Sequence, residues 1–298
     1  MTAGKKIRQL TIVSGKGGTG KTTIAAAFAS LARNKVLVDC DVDAADLHLL
    51  LHPRMLKQEK FYGGRSPAVD LDKCTQCDLC TEICRFHAIR NGVVDPVSCE
   101  GCGFCSHVCP PGAIVMQEAF SGDWFVSETD YGPFVHARLG IGEENSGKLV
   151  TMVRKQAAEI AEEGNLDLIL IDGPPGIGCP VTASMAGADL ILAVTEPTLS
   201  GIHDLERILK LAEHFKIPST VCINKFDINP ENTNRIRSYC ESNGSKVIGT
   251  IPYEPRVVEA LVRGKTLMDY PCNEVQGIVR EMWGRIEELL ISKVEGGR

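Results

Sequence analysis

The chain lacks three features, and each absence narrows its class. No apolar run approaches the length that a membrane span requires, which excludes an integral membrane helix. Positive charge is not in excess: 32 Lys and Arg stand against 38 Asp and Glu. The net charge of -6 and the pI near 5.7 argue against a dedicated nucleic-acid surface. The opening residues, MTAGKKIRQLTIVSGKGG, pass directly into a strand and a loop, so no cleavable export signal is expected. These absences lead to the expectation of a cytoplasmic protein with no stable membrane anchor and no nucleic-acid partner. With 298 residues, 44% of them hydrophobic, the chain can bury one large core and carry a small second module.

Cysteine is abundant. Thirteen cysteines in a reducing compartment point to metal or redox work rather than disulfides. Eight of them form two copies of one pattern, Cys74-x2-Cys77-x2-Cys80-x3-Cys84 and Cys99-x2-Cys102-x2-Cys105-x3-Cys109-Pro110. The repeat extends past the cysteines, with CTQCDLCTEICRFHAI returning 25 residues later as CEGCGFCSHVCPPGAI. Four thiolates at these offsets can wrap a cubane: the short turns bring three sulfurs onto one iron-sulfur face, and the fourth reaches across to the partner cluster. The segment resembles bacterial-type ferredoxins with two 4Fe-4S clusters. The expected ligand sets are Cys74, Cys77, Cys80 with Cys109, and Cys99, Cys102, Cys105 with Cys84. Structural zinc is the alternative, although zinc sites take two cysteine pairs separated by a longer gap. Arg85 departs from the pattern, which usually has proline after the fourth cysteine.

The second motif is Gly15-Lys16-Gly17-Gly18-Thr19-Gly20-Lys21-Thr22, set between an apolar strand, Leu10 to Ser14, and a helix-prone run, Thr22 to Arg33. Glycines let successive backbone N–H groups turn inward around phosphates, and the helix N-terminus adds its positive dipole end. Lys21 is expected to reach the β and γ phosphates, the Thr22 hydroxyl to ligate Mg2+, and Thr23 to complete the set.

The form K-G-G-x-G-K-T resembles the deviant Walker A loop of the MinD, ParA and nitrogenase-iron-protein class of ATPases. The resemblance implies that Lys16 reaches across a dimer interface to the partner's nucleotide. It also implies that Asp41 is a switch I aspartate positioning or activating the attacking water. Asp172, at the end of the apolar run from Leu166, reads as a Walker B acid on the magnesium water shell, and 173–178 as switch II. Each acid alone could be a helix cap, and the motif order selects Asp41 and Asp172. Lys16, Lys21, Asp41 and Asp172 form the expected catalytic set. In the resembled ATPases, an asparagine at the Asn224 position and backbone near Pro252 hold adenine. Asn224-Lys225-Phe226-Asp227 also fits the guanine-reading motif of GTPases. ATP is the expected nucleotide, because Lys16 and the remaining motif order belong to the ATPase class.

The fold class implied is α/β, a P-loop NTPase parallel sheet with helices on both faces, plus a small α+β ferredoxin-like insert. Residues 1–60 are expected to begin the ATPase, 61–119 to form the insert and 120–298 to complete the ATPase. Between Gly122 and Lys148 the chain is rich in glycine and polar residues and reads as a linker, or as a loop docking the insert. The run Val275, Ile278, Val279, Met282, Trp283, Ile286, Leu289, Leu290 has helical spacing. MinD ends in a membrane-seeking helix, but here five acids face three bases between Asn273 and Glu295, so packing on the core is expected.

Three functions stay open. The leading one is an ATPase coupling a nucleotide-driven dimer, of identical or paralogous chains, to electron transfer with a protein partner. The second is an iron-sulfur assembly carrier, for which the C-terminal C-x-x-C of such scaffolds is missing, leaving Cys240 and Cys272 isolated. The third is a MinD-like positioning or regulatory ATPase with redox-sensing clusters. Cys179, seven residues after Asp172, matches the offset of a cluster-ligating cysteine in the nitrogenase iron protein; the alternative is a small packing residue.

Overall fold

The structure, a computed structural model, describes residues 6–140 and 146–295. Of the stretch from Gly122 to Lys148 read as linker or docking loop, 141–145 lie outside the described residues.

Apolar runs that cannot alternate become strands buried on both faces. Five of them, β1 (Arg8–Ser14), β2 (Lys35–Asp39) and later β8 (Leu168–Pro175), β9 (Leu190–Thr195) and β10 (Ser219–Asn224), carry no exposed residue. Between the first two runs α1 (Lys21–Leu31), and after β2 a single turn, α2 (His48–Leu51). The chain then enters β3 (Arg54–Val69), α3 (Leu79–Ile83), β4 (Ile89–Arg90), β5 (Val93–Val94), α4 (Phe104–Val108), β6 (Ile114–Thr129) and β7 (Gly132–Leu139). The second half alternates: α5 (Ser146–Glu163), β8 (Leu168–Pro175), α6 (Cys179–Met185), β9 (Leu190–Thr195), α7 (Leu199–His214), β10 (Ser219–Asn224), α8 (Pro230–Ser242), β11 (Lys246–Ile251), α9 (Pro255–Val262) and α10 (Asn273–Glu295).

One nine-stranded sheet runs β11-β10-β9-β1-β8-β2-β7-β6-β3. From β11 to β7 all neighbours are parallel. Side chains alternate between its faces. Leu168 and Leu170 of β8 join the core under α1 and α10, whereas Ile169 and Ile171 join the core under α5. A third apolar cluster lies under α6, α7 and α8.

The expectation of a parallel sheet needs one correction. β6 pairs antiparallel with β7, and β3 antiparallel with β6, so one edge of the sheet is a meander. The stretch read as linker or docking loop is mostly strand, because only Asp130 and Tyr131 separate β6 from β7 and so short a connection can join only antiparallel neighbours. β3 and β6 run unbroken through residues 60–61 and 119–120 and form a long two-stranded ribbon. From the ribbon's far end projects the segment 70–113, holding α3, α4 and the β4–β5 hairpin.

That segment repeats its own framework. Asp70 N–H donates to Ala113 O (2.8 Å) and Asp95 N–H to Ala88 O (2.7 Å). The Asp70 side chain accepts from Asp72 N–H and the Asp95 side chain from Val97 N–H, both at 3.1 Å. Cys84 Sγ accepts from Ala88 N–H (3.4 Å) and Cys109 Sγ from Ala113 N–H (3.3 Å). Both short helices follow a residue with positive φ, Asp78 at 56° and Gly103 at 76°.

The C-terminal helix packs as its spacing requires. Val275, Val279, Met282, Trp283, Ile286 and Leu290 all enter the core shared with α1. Trp283 is the centre of that contact, its ring 5.1 Å from Phe28. Trp283→Ala should therefore lower unfolding stability by about 3–5 kcal/mol, measured by chemical denaturation. A loss below about 1 kcal/mol would mark α10 as peripheral rather than core.

Candidate nucleotide site and cysteine cavities

In a parallel sheet, ligands collect at the carboxyl ends of the strands where the connections diverge. Here that point is the end of β1, flanked by β8 on one side and β9 on the other. The loop 15–20 leaves β1 at this point and feeds the N-terminus of α1. Gly18 (φ 80°) and Gly20 (φ 91°) hold left-handed conformations that ordinary side chains disfavour. A Cβ on Gly15 would overlap Asp204, and one on Gly20 would overlap the Asn224 amide.

β2 and β8 pair so that Asp39 stands beside Asp172, and Lys21 projects between them. Lys21 Nζ lies 2.8 Å from Asp172 Oδ1 and 4.0 Å from Asp41 Oδ2, with its side chain 6% exposed. Burial pulls the Lys21 pKa down, but Asp172, Asp39 and Asp41 outweigh it and hold the ammonium above its ordinary value. Asp39, fully buried, accepts from Asp41 N–H (2.9 Å) and Leu47 N–H (3.1 Å) and so fixes the turn that presents Asp41. Burial, then repulsion from Asp172, raises the Asp39 pKa well above the carboxylate range. Burial likewise lifts Asp41 to about 6, against the pull of Lys21.

A cleft of about 710 Å³ opens beside this cluster, lined by the loop from Gly17 to Thr23 together with Asp41, Asn224 and Pro252. Three expected residues lie outside the lining. Gly15 packs beneath Asp204, Asp172 stands buried behind Lys21, and Lys16 points to Glu196, 3.8 Å away. Asn224 donates to Thr19 O (2.8 Å), bracing the loop. Asp227 accepts from Tyr253 N–H (2.7 Å), tying the end of β10 to the end of β11.

Glu196, which had no motif to mark it, bridges Lys16 and Lys225, the latter at 2.6 Å. Asp39 was equally unmarked beyond its acidity. Neither partner relation is local in sequence, and the acid-proline pair after β9 is the sole trace of Glu196.

Two polar atoms of the site test what it can hold. Thr19 Oγ1 and Asp172 Oδ2 are buried with no hydrogen-bond partner. The first offers a donor inside the phosphate loop and the second a free carboxylate oxygen beside two further acids, Asp39 and Asp41, and one lysine, a surplus of negative charge that suits a hard cation. Among the described residues, no three acid, thiol or imidazole groups converge on one ion. Mg2+ needs no such cage, because it keeps several waters and shares phosphate oxygens.

The eight repeated cysteines line two further cavities. Cys74, Cys77, Cys80 and Cys109 line one of about 240 Å³ with polar neighbours such as Thr75, Gln76 and Asn91. Cys84, Cys99, Cys102 and Cys105 line the other, of about 350 Å³, with Phe86 and Phe104. Arg85 lines the same cavity. Cys179 is exposed at the first position of α6, and Cys40, Cys222, Cys240 and Cys272 are buried.

A family model for the CobQ/CobB/MinD/ParA nucleotide binding domain matches residues 10–267. The chain belongs to this family of P-loop ATPases. An uncharacterized protein of Methanocaldococcus jannaschii is 30% identical over 288 residues, covering 95% of this chain and 98% of the relative. The septum site-determining protein MinD of Synechocystis sp. is 23% identical over 293 residues, covering 93% and 90%. The structure of Pyrococcus horikoshii MinD complexed with Mg-ADP superposes with a TM-score of 0.58 at 18% identity, covering 95% of this chain and 97% of that one. No helix among the described residues is long and apolar enough to cross a membrane.

The raised Asp41 pKa has a signed consequence for stability. Between about 4, where an unfolded aspartate titrates, and about 6, the folded chain keeps a proton that the unfolded chain has released. Unfolding free energy should therefore fall as pH rises through this window and level off above it, as far as Asp41 is concerned. Asp41→Asn removes that slope. Urea midpoints of variant and wild type should agree near pH 4 and diverge by pH 7 in favour of the variant; a constant gap would contradict the assignment.

Proposed function

We propose that the protein is an ATP-switched regulatory ATPase of the MinD type, in which residues 61–119 form an inserted ferredoxin-like unit carrying two redox-sensing 4Fe-4S clusters. The flanking parts, 1–60 and 120–298, together make the ATPase. The observation that carries the reading is the sorting of eight cysteines into two quartets, each around its own cavity and each combining three cysteines of one repeat with the fourth of the other. Zinc would require four sulfurs converging at about 2.3 Å on one ion. Among the described residues the thiols ring cavities instead, which suits the larger cubane.

When bound, Mg2+ would offset phosphate charge and the clusters would supply one-electron redox change. In this reading Lys21 would donate to the β and γ phosphate oxygens, Thr22 and Asp172 would stand on the Mg2+ side, and Asp41 would orient the attacking water. Lys16 can leave Glu196 easily: the contact is 3.8 Å long and the lysine 37% exposed, so losing it costs under about 1 kcal/mol. That freedom suits a lysine that crosses to a second subunit's nucleotide. For the base, Asp227 Oδ1 accepts from Tyr253 N–H, a bond that competes with guanine reading at that oxygen, and this favours ATP along with Lys16.

Electron carriage, the leading expectation from sequence, gives way to regulation, because the named relatives are septum site-determining proteins. The assembly-carrier reading loses its thiols, since Cys240 and Cys272 are buried. Cys179 is proposed as a ligand only across a dimer, because among the described residues it joins no three-membered ligand group.

Protein purified without oxygen should carry about eight irons per chain. Stoichiometric zinc with no visible charge-transfer band would remove the ferredoxin assignment. Dithionite reduction should change ATP turnover or the ATP-stabilised dimer fraction at least about threefold, roughly 0.6 kcal/mol. Equal values in both redox states would rule out sensing. In parallel, Lys16→Ala should abolish ATP-stabilised dimers and hydrolysis. Asp41→Ala should bind ATP and dimerise while turnover falls by about 100-fold or more. Normal hydrolysis by monomeric Lys16→Ala would refute the role given to that lysine.

A further inference from the structure

We propose that α5 is a lever connecting the phosphate side of the nucleotide site to the ribbon that bears the cysteines, with Lys148 as its coupling contact. The proposal rests on the nucleotide reading of the loop 15–22 and names how the cysteine segment would respond to it.

The ribbon has a hinge. Its β3–β6 pairing slips between Phe61 and Tyr62 and again between Tyr62 and Gly64. Extra residues on one strand bend the pair and leave backbone groups unpaired. At this place the unpaired groups find other partners: Gly63 N–H donates to Ser121 Oγ (3.2 Å), and Gly140 N–H donates to Ser121 O (3.0 Å). Gly122, opposite the slip, lies so close to the Arg138 carbonyl that a Cβ would collide with it.

Lys148 holds this hinge. Its ammonium, carried on the first turn of α5 by an otherwise exposed residue, donates to Gly63 O at 2.9 Å. The same end of α5 meets α6, where a Cβ on Gly147 would touch Cys179 Cβ at 3.4 Å. Two turns further along, Arg154 donates to Ala183 O of α6 (2.7 Å) and to Gln9 Oε1 of β1 (2.6 Å). α6 follows directly on 173–178, the segment after Asp172. One helix thus grips both the element behind the magnesium acid and the bend of the ribbon. Helices move as rigid units, so a shift of α6 reaches the hinge through α5. Beyond the hinge the ribbon is stitched to the cysteine segment: Gly101 packs against Arg65 O, and Asp70 pairs with Ala113. A small rotation at Gly63 then swings both cysteine cavities relative to the sheet.

The test is hydrogen exchange on the full chain, purified without oxygen, with Mg-ADP and with a non-hydrolysable Mg-ATP analogue. Wild type should show at least about a twofold difference in exchange rate between the two nucleotides over 61–64 and 119–122. Lys148→Met keeps the aliphatic stem and should erase that difference while leaving nucleotide affinity and turnover within twofold; Lys148→Arg, which keeps a donor, should retain it. Ser121→Ala should raise exchange at the hinge in both nucleotide states. A full ribbon response in Lys148→Met, or nucleotide binding by wild type with no ribbon response, overturns the lever. Absence of nucleotide binding by wild type overturns the nucleotide reading itself, and the affinity measurement identifies that outcome separately.

Discussion

A buried ammonium must be paired, and the pairing of Lys21 with Asp172 constrains the rest of the architecture. The pair requires β1, which delivers the loop before Lys21, to lie beside β8, which delivers Asp172. It requires β2 on the far side of β8, so that Asp39 can fix the turn bearing Asp41. Three acids around one cation leave two negative charges in excess, and burial together with repulsion from Asp172 raises the pKa of Asp39 and of Asp41. A divalent cation entering here would relieve that imbalance by charge alone. Phosphate oxygens arriving at Lys21 would compete with Asp172 for the same ammonium, so nucleotide and metal act on one electrostatic balance.

That balance reaches outward through short connections. Asp172 is followed by 173–178 and then α6, so a changed pull on the end of β8 acts first on the helix that α5 touches. On the opposite flank Asn224 holds Thr19 O, and Asp227 holds Tyr253 N–H, which makes the base side of the cleft a braced wall. The two flanks differ in kind. One is cross-linked between the ends of two parallel strands, β10 and β11, and the other rests on a helix joined to a bent ribbon at the opposite edge of the sheet.

What could be read from the sequence follows this division. Buried parallel strands are continuous apolar runs, so β1 and β8 are legible in the sequence. The cysteine repeat was visible because its spacing is local. The meander edge was not: β3 and β6 mix glycine, charge and aromatics, and their pairing joins residues such as Lys57 and Val126 that are far apart in the chain. The same limit hid Glu196, whose partners Lys16 and Lys225 come from two distant connections. The nucleotide residues stood out because a phosphate loop is a contiguous motif, whereas the groups that position them are assembled by topology.

Topology also explains how a segment of a different character fits into a parallel sheet. Inserted between central strands, residues 70–113 would have to cross a covered face and break the continuous apolar runs on which the core depends. At the edge they cost little, because β3 and β6 close the excursion by pairing with each other, and the entropy of closing a longer loop grows only slowly with length. The edge strand then faces water with Arg54, Lys57, Glu59 and Lys60, charges that discourage pairing with another chain. What the edge position sacrifices is cover, since beyond β7 the ribbon is only two strands wide and α4 meets it at the far end, where Gly103 lies against Met116. The double slip at Tyr62 lies where Lys148 meets Gly63, the point at which α5 reaches the ribbon.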